Sequence, residues 1–89
     1  MAHTLDELIQ MQRAADQAHA QVLALRDGYG RPTQVEWTDA QTMAYEKAWK
    51  AWRELAAGVQ AAVTEHAEAA GKQRFDIEAA VRGAARRPE

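Results

Sequence analysis

The sequence predicts an all-α fold: a long antiparallel helical hairpin with a short third C-terminal helix, completed as a bundle by dimerisation. Three observations predict it. Two capping-box signatures, Thr4 to Glu7 and Thr38 to Gln41, each stand immediately before an apolar-periodic run. In both runs large or small apolar residues return every three or four positions, the period of one helix face. Glycine and proline gather in "DGYGRPTQ" and glycine returns at Gly71, where the periodic runs must stop.

Eighty-nine residues make one domain, near the size at which a single core only marginally offsets chain entropy. The composition is 47% hydrophobic, but much of this is alanine, which favours helix and buries little area, so the core rests on a few larger side chains. The chain has no cysteine and therefore no disulfide or thiolate chemistry. The opening "MAHTLDELIQ" lacks a basic stretch followed by an apolar one, and no run of about eighteen apolar residues occurs, so a cytoplasmic protein with no membrane span is expected.

Helix 1 is expected over about residues 5–27. Leu8, Met11, Ala15, Ala18, Val22 and Leu25 form its seam, widened by Leu5, Ile9 and Leu23, until Asp27-Gly28 ends it. The turn covers about 28–38. Helix 2 follows over about 39–70, with Trp37 just before its cap. Its seam is Tyr45, Ala48, Trp52, Leu55, Val59, Ala62, His66 and Ala69, flanked by Trp49, Ala56 and Val63. Gly58 is a mild internal cost or a point of close approach. Helix 3 is expected over about 76–85, capped by Asp76, with Phe75, Ile77 and Val81 as its large groups, and "ARRPE" is expected to fray.

The stretch "AYEKAWKAW" interleaves aromatic and basic residues, a pattern shared by nucleic-acid surfaces and helical cores. At about 100° per residue, with Tyr45 at zero, Trp49 falls near 40° and Trp52 near −20°, whereas Lys50 and Lys47 fall near 140° and 200°. The rings thus share the arc of Leu55, Val59 and Val63, and the lysines face solvent, where Glu46, Lys50 and Glu54 have ion-pair spacing. The core reading prevails.

No metal, cofactor or catalytic set emerges. His19 and His66 lie on or beside the seams, and a hairpin closed around residue 33 places His19 opposite roughly Glu46 and brings His3 toward His66. "EHAE" lacks the Glu-x-x-His spacing of di-iron bundles. "DGYG" follows a helix rather than a strand, which suits turn geometry better than phosphate binding. No serine elbow is present, and no small-molecule substrate is evident.

The function expected is therefore that of a non-catalytic helical interaction or adaptor module, not an enzyme, whose partner is a second copy or another helical protein. Trp49, Trp52, Val59, Val63 and His66 are its expected surface. The homodimer follows from a mismatch of lengths: Leu5 pairs with roughly Gln60, leaving Val63, His66 and Ala70 overhanging, and the competing outcome is a monomeric three-helix bundle with the third helix folded back over them. The alternative is a small nucleic-acid-binding or regulatory protein using Arg74, Arg82, Arg86 and Arg87. A formal net charge of −2 weighs against it, although "GKQRFDIEAAVRGAARRPE" carries five basic residues against three acidic ones.

Overall fold

A computed structural model describes residues 2–31 and 33–87; Pro32 of the expected turn and Pro88 and Glu89 of the expected frayed tail lie outside them. Three helices are present: α1 (Leu5–Tyr29), α2 (Asp39–Ala70) and α3 (Arg74–Ala85). They form a hairpin of α1 and α2 with α3 folded back against both, in an elongated body of 50 × 24 × 19 Å.

Both long helices start as their sequences dictate. At α1 the Glu7 amide donates to Thr4 Oγ1 (3.2 Å) and the Thr4 amide donates to Glu7 Oε1 (3.0 Å). At α2 the Gln41 amide donates to Thr38 Oγ1 (3.1 Å) and the Thr38 amide to Gln41 Oε1 (2.9 Å). Each box satisfies donors that the first helical turn otherwise leaves without partners.

The ends differ more from expectation. Gly28 does not stop α1, which continues to Tyr29 and ends at Gly30, where φ 83° and ψ 171° suit glycine alone. There a Cβ would also meet Val35 Cγ2 at 3.2 Å. α2 ends in a Schellman motif: Gly71 takes the left-handed conformation (φ 66°), its amide donates to Glu68 O, and the Lys72 amide donates to Ala67 O. α3 begins two residues before the expected start, with Gln73 at the cap position and no side-chain cap bond; Asp76 sits inside the first turn, where it complements the helix dipole.

The connection between α1 and α2 is pinned by Trp37. Its indole Nε1 donates to Gly30 O at 2.9 Å, and its ring packs edge-on against Tyr29 (5.4 Å between centroids) and Tyr45 (5.1 Å). Through Trp37, Tyr45 is linked to the end of α1. At the far end His66 Nδ1 donates to His3 O at 2.8 Å, which sets His66 beside the residue before the α1 cap and leaves the last turn of α2 beyond it. Of the overhang expected at Val63, His66 and Ala70, Val63 is enclosed in the three-helix cluster and His66 is held by His3, while Ala70, in that last turn, still extends beyond α1. The pairing lies about a turn away from that of a hairpin closed around residue 33, with Trp37 packed at the connection.

The core occupies only the three-helix half. Leu8 and Ala15 from α1, Val59, Ala62, Val63 and Ala67 from α2, and Ile77 and Val81 from α3 form one buried cluster with Met11 packed on it. The buried valine and isoleucine side chains contribute on the order of 1.5–3 kcal/mol each relative to exposure. Toward the loop, where α3 no longer reaches, Val22 is the one buried residue of α1 and the α2 side chains opposite are aromatic.

Several expected core residues lie outside. Phe75 is 76% exposed, Leu55 41% and Leu5 40%. Phe75 precedes Ile77 on α3 by two positions, about 200° around the helix, so it points away from the core that Ile77 enters. Leu55 lies about 140° from Gln60, and it is the Gln60 flank that α3 covers, since Arg74 reaches both Gln60 and Thr64.

Candidate functional site

The five residues expected to form one interaction surface are divided by the fold. Val59 and Val63 are buried, at 2% and 0% exposure, because α1 and α3 together close over that part of α2; they belong to the core and not to a free surface. Trp49 and Trp52 remain together, with ring centroids 4.8 Å apart. Trp52 is half-buried, and Trp49 is 37% exposed with the Arg53 guanidinium over its ring at 5.4 Å. His66 stands fourteen residues along α2 from Trp52, about 21 Å away, and is held by the His3 carbonyl. Lys47 and Lys50 are exposed.

Trp52 is the pivot of the remaining site. On its second side it stacks against His19 of α1, with centroids 4.6 Å apart and planes tilted by 35°. His19 had been expected opposite Glu46; the register set by Trp37 brings it to Trp52. The three rings Trp49, Trp52 and His19 thus form a continuous band across the hairpin.

Beside this band, where α3 ends against the hairpin, a groove of about 420 Å³ opens between all three helices. Its floor is apolar, made by Ala15, Trp52, Ala56 and Val59. Its rim carries Gln12, Asp16 and His19 from α1, Gln60 from α2, and Arg82 and Arg86 from α3. Arg82 and Arg86 are one helical turn apart on α3 and so share a face.

The rim is ordered by hydrogen bonds. Gln12 Nε2 donates to Asp16 Oδ1 at 2.9 Å along α1. Arg74 donates to Gln60 Oε1, to Thr64 Oγ1 at 3.1 Å and to Glu78 Oε2 at 2.7 Å. Arg82 pairs with the other oxygen of Glu78 at 2.8 Å. Arg74 and Arg82, two of the four arginines considered for nucleic-acid contact, therefore flank one acidic side chain on α3. Arg86 and Arg87 are exposed at the end of the helix.

A further residue, Arg13, gives α3 its position. Its Nη2 donates to Ala84 O at 3.3 Å and Arg87 O at 3.2 Å at the C-terminal end of α3, where Ala84 O also accepts from the Arg87 amide. "ARRPE" is accordingly tied to α1 as far as Arg87. Nothing in the sequence marks Arg13 for this role, since the contact joins residues more than seventy positions apart.

Ionisable groups at the site are all at least partly accessible, and no polar side chain is fully buried among the described residues. No group of three or more His, Asp or Glu side chains there is arranged to hold a metal ion. No described helix is long and apolar enough to cross a membrane. The chain matches no known family, no curated protein sequence and no solved structure.

Proposed function

We propose that the chain is a non-catalytic helical interaction module, and that it works by packing the loop end of its hairpin against a second copy of itself. The observation that supports this reading is Trp49: a tryptophan stacked on Trp52 and overlain by Arg53, yet left 37% exposed. Exposed tryptophan and arginine in contact are the residue types that dominate protein–protein binding energy. The loop half of the molecule has only two helices, so both flanks of their seam are open, and two such halves packed together make the four-helix arrangement that bundles favour. A symmetric pair uses the Trp49 patch twice. Another helical protein would engage the same face.

Light scattering coupled to size exclusion tests the proposal. A mass twice the 9.9 kDa of the chain, reverting to one chain on Trp49→Lys, is the expected result. A mass of one chain that does not change with concentration rejects self-pairing. The nucleic-acid reading ranks second, since Arg86 and Arg87 are its remaining uncommitted cations; weak, salt-sensitive retention on DNA would support it.

A further inference from the structure

The groove beside Trp52 has a chemical character that the interaction reading does not use. Its floor is apolar and ends in the face formed by Trp52 and His19. Its rim is rich in donors. Gln60 turns its carbonyl oxygen to Arg74, which leaves the amide nitrogen for the groove. Arg86 has no side-chain partner among the described residues, and Arg82 is bound on one side by Glu78. The one carboxylate lining the groove, Asp16, already accepts from Gln12. An entering molecule therefore meets the Trp52 and His19 side chains below, hydrogen-bond donors at the side and guanidinium groups at one end.

From this arrangement we infer that the groove is a binding site for a small aromatic carboxylate, its ring against Trp52 and His19 and its carboxylate against Arg86, with Arg82 and Gln60 alongside. A carboxylate matches the forked donor geometry of a guanidinium. The ring matches the aromatic end of the floor, where an edge-to-face approach to Trp52 and His19 is favourable. The volume of about 420 Å³ lies in the lower part of the range of roughly 300–1,000 Å³ typical of small-molecule sites, which admits one or two fused rings and excludes a large cofactor. An aromatic amine would bring its cation to the arginines, and an aliphatic carboxylate would leave the floor unstacked, so both should be refused. The site lies on the three-helix side of Trp52 and does not depend on the pairing proposed above.

The test is a titration of the full-length protein with 2-naphthoate, followed by amide and indole NMR resonances, with 2-naphthylmethylamine and cyclohexanecarboxylate as parallel probes. Light scattering on the same samples fixes the oligomeric state, so that loss of pairing and loss of binding are read separately. Expected are saturable shifts centred on Trp52 Nε1, His19 and Arg86 with a dissociation constant of about millimolar or tighter. Arg86→Ala should weaken binding about tenfold with an unchanged melting temperature, and Arg86→Lys by less, because lysine keeps the charge and loses the fork. His19→Ala should also weaken it. The inference is overturned if naphthoate shifts these resonances no more than the amine does, if the shifts centre on exposed Phe75 instead, or if Arg86→Ala leaves the affinity within about twofold.

Discussion

Arg13 on α1 donates to the carbonyl of Ala84 on α3, joining the first helix to the last across the whole sequence. The same nitrogen also reaches Arg87 O, so one guanidinium serves as the C-terminal cap of another helix. Its positive charge also suits the negative end of the helix dipole.

Arg13→Ala should therefore destabilise the fold by about 1–2 kcal/mol, since two carbonyls lose a charged donor at a partly buried site. Urea denaturation checks this. A midpoint equal to that of the parent protein would mean that the cap contributes nothing.

Trp52→Ala should cost about 2 kcal/mol. That is less than the roughly 3–5 kcal/mol of a fully enclosed aromatic, because Trp52, between His19 and Trp49, is only half-buried and lines the groove. Lys50→Ala, at an exposed position, should change stability by less than about 0.5 kcal/mol. Thermal melts followed by circular dichroism separate the two, and equal melting temperatures for both variants would contradict the assignment of Trp52.

Two glycines should respond in opposite directions to alanine. Gly58 lies inside α2, with open space where a Cβ would be and ordinary helical backbone, so Gly58→Ala should stabilise by about 0.5–1 kcal/mol. Gly71 holds the left-handed cap, and Gly71→Ala should destabilise by about 1 kcal/mol although space is equally open there. Chemical denaturation of the pair decides between space and backbone conformation: the same sign of change in both would show that conformation is not what matters at Gly71.

The pH dependence of the α1 cap follows from Glu7. Its carboxyl is held below the ordinary value of 4.5, first by the hydrogen bond from the Thr4 amide, then by the Thr4 hydroxyl and by His3. A carboxylate whose folded pKa is depressed contributes stability that is present above its unfolded pKa and lost as pH falls through the folded one. The start of α1 should thus loosen in acid, below about pH 4.5. NMR titration of the Glu7 carboxyl in the parent and in Glu7→Gln provides the check, with Gln retaining shape and removing the titration. An ordinary midpoint for Glu7 would refute the capping account.

What the sequence makes legible here is local. Both capping boxes, the start of each long helix and the end of α2 rest on residues within a turn of one another, and they are found where their spacing puts them. The seam of α1 is read directly too, since Leu8, Ala15 and Val22 are its buried positions. Register is another matter. It depends on how Trp37 settles between Tyr29 and Tyr45, three residues on different elements, and periodicity carries no information about that contact. With this contact go the pairings of His19 with Trp52 and of His66 with His3, about a turn away from a hairpin closed around residue 33.

The candidate site was legible only in pieces. Trp49 and Trp52 are visible as a pair because they share an arc, and Arg82 and Arg86 as basic residues of the last segment. Their meeting around a groove needs α3 to fold back, and what holds α3 back is Ile77, Val81 and the distant Arg13. Val59 and Val63 read as surface when only two helices are counted, and they are buried because the third helix closes over them.

The division of the molecule into an aliphatic three-helix half and an aromatic two-helix half has a consequence in time. Local opening is governed by how much surface each part buries, and parts of one small domain can open with different free energies. The amides around Val22 and Tyr45 lie where only two helices meet and should exchange their hydrogens through partial openings in which the loop end splays apart. Those around Leu8, Val63 and Val81 are enclosed on all sides and should exchange only when the whole chain unfolds. The protein would then behave as a hinged clasp, shut tightly at the end where α2 turns into α3 and breathing at its bend, where Trp37 acts as the latch.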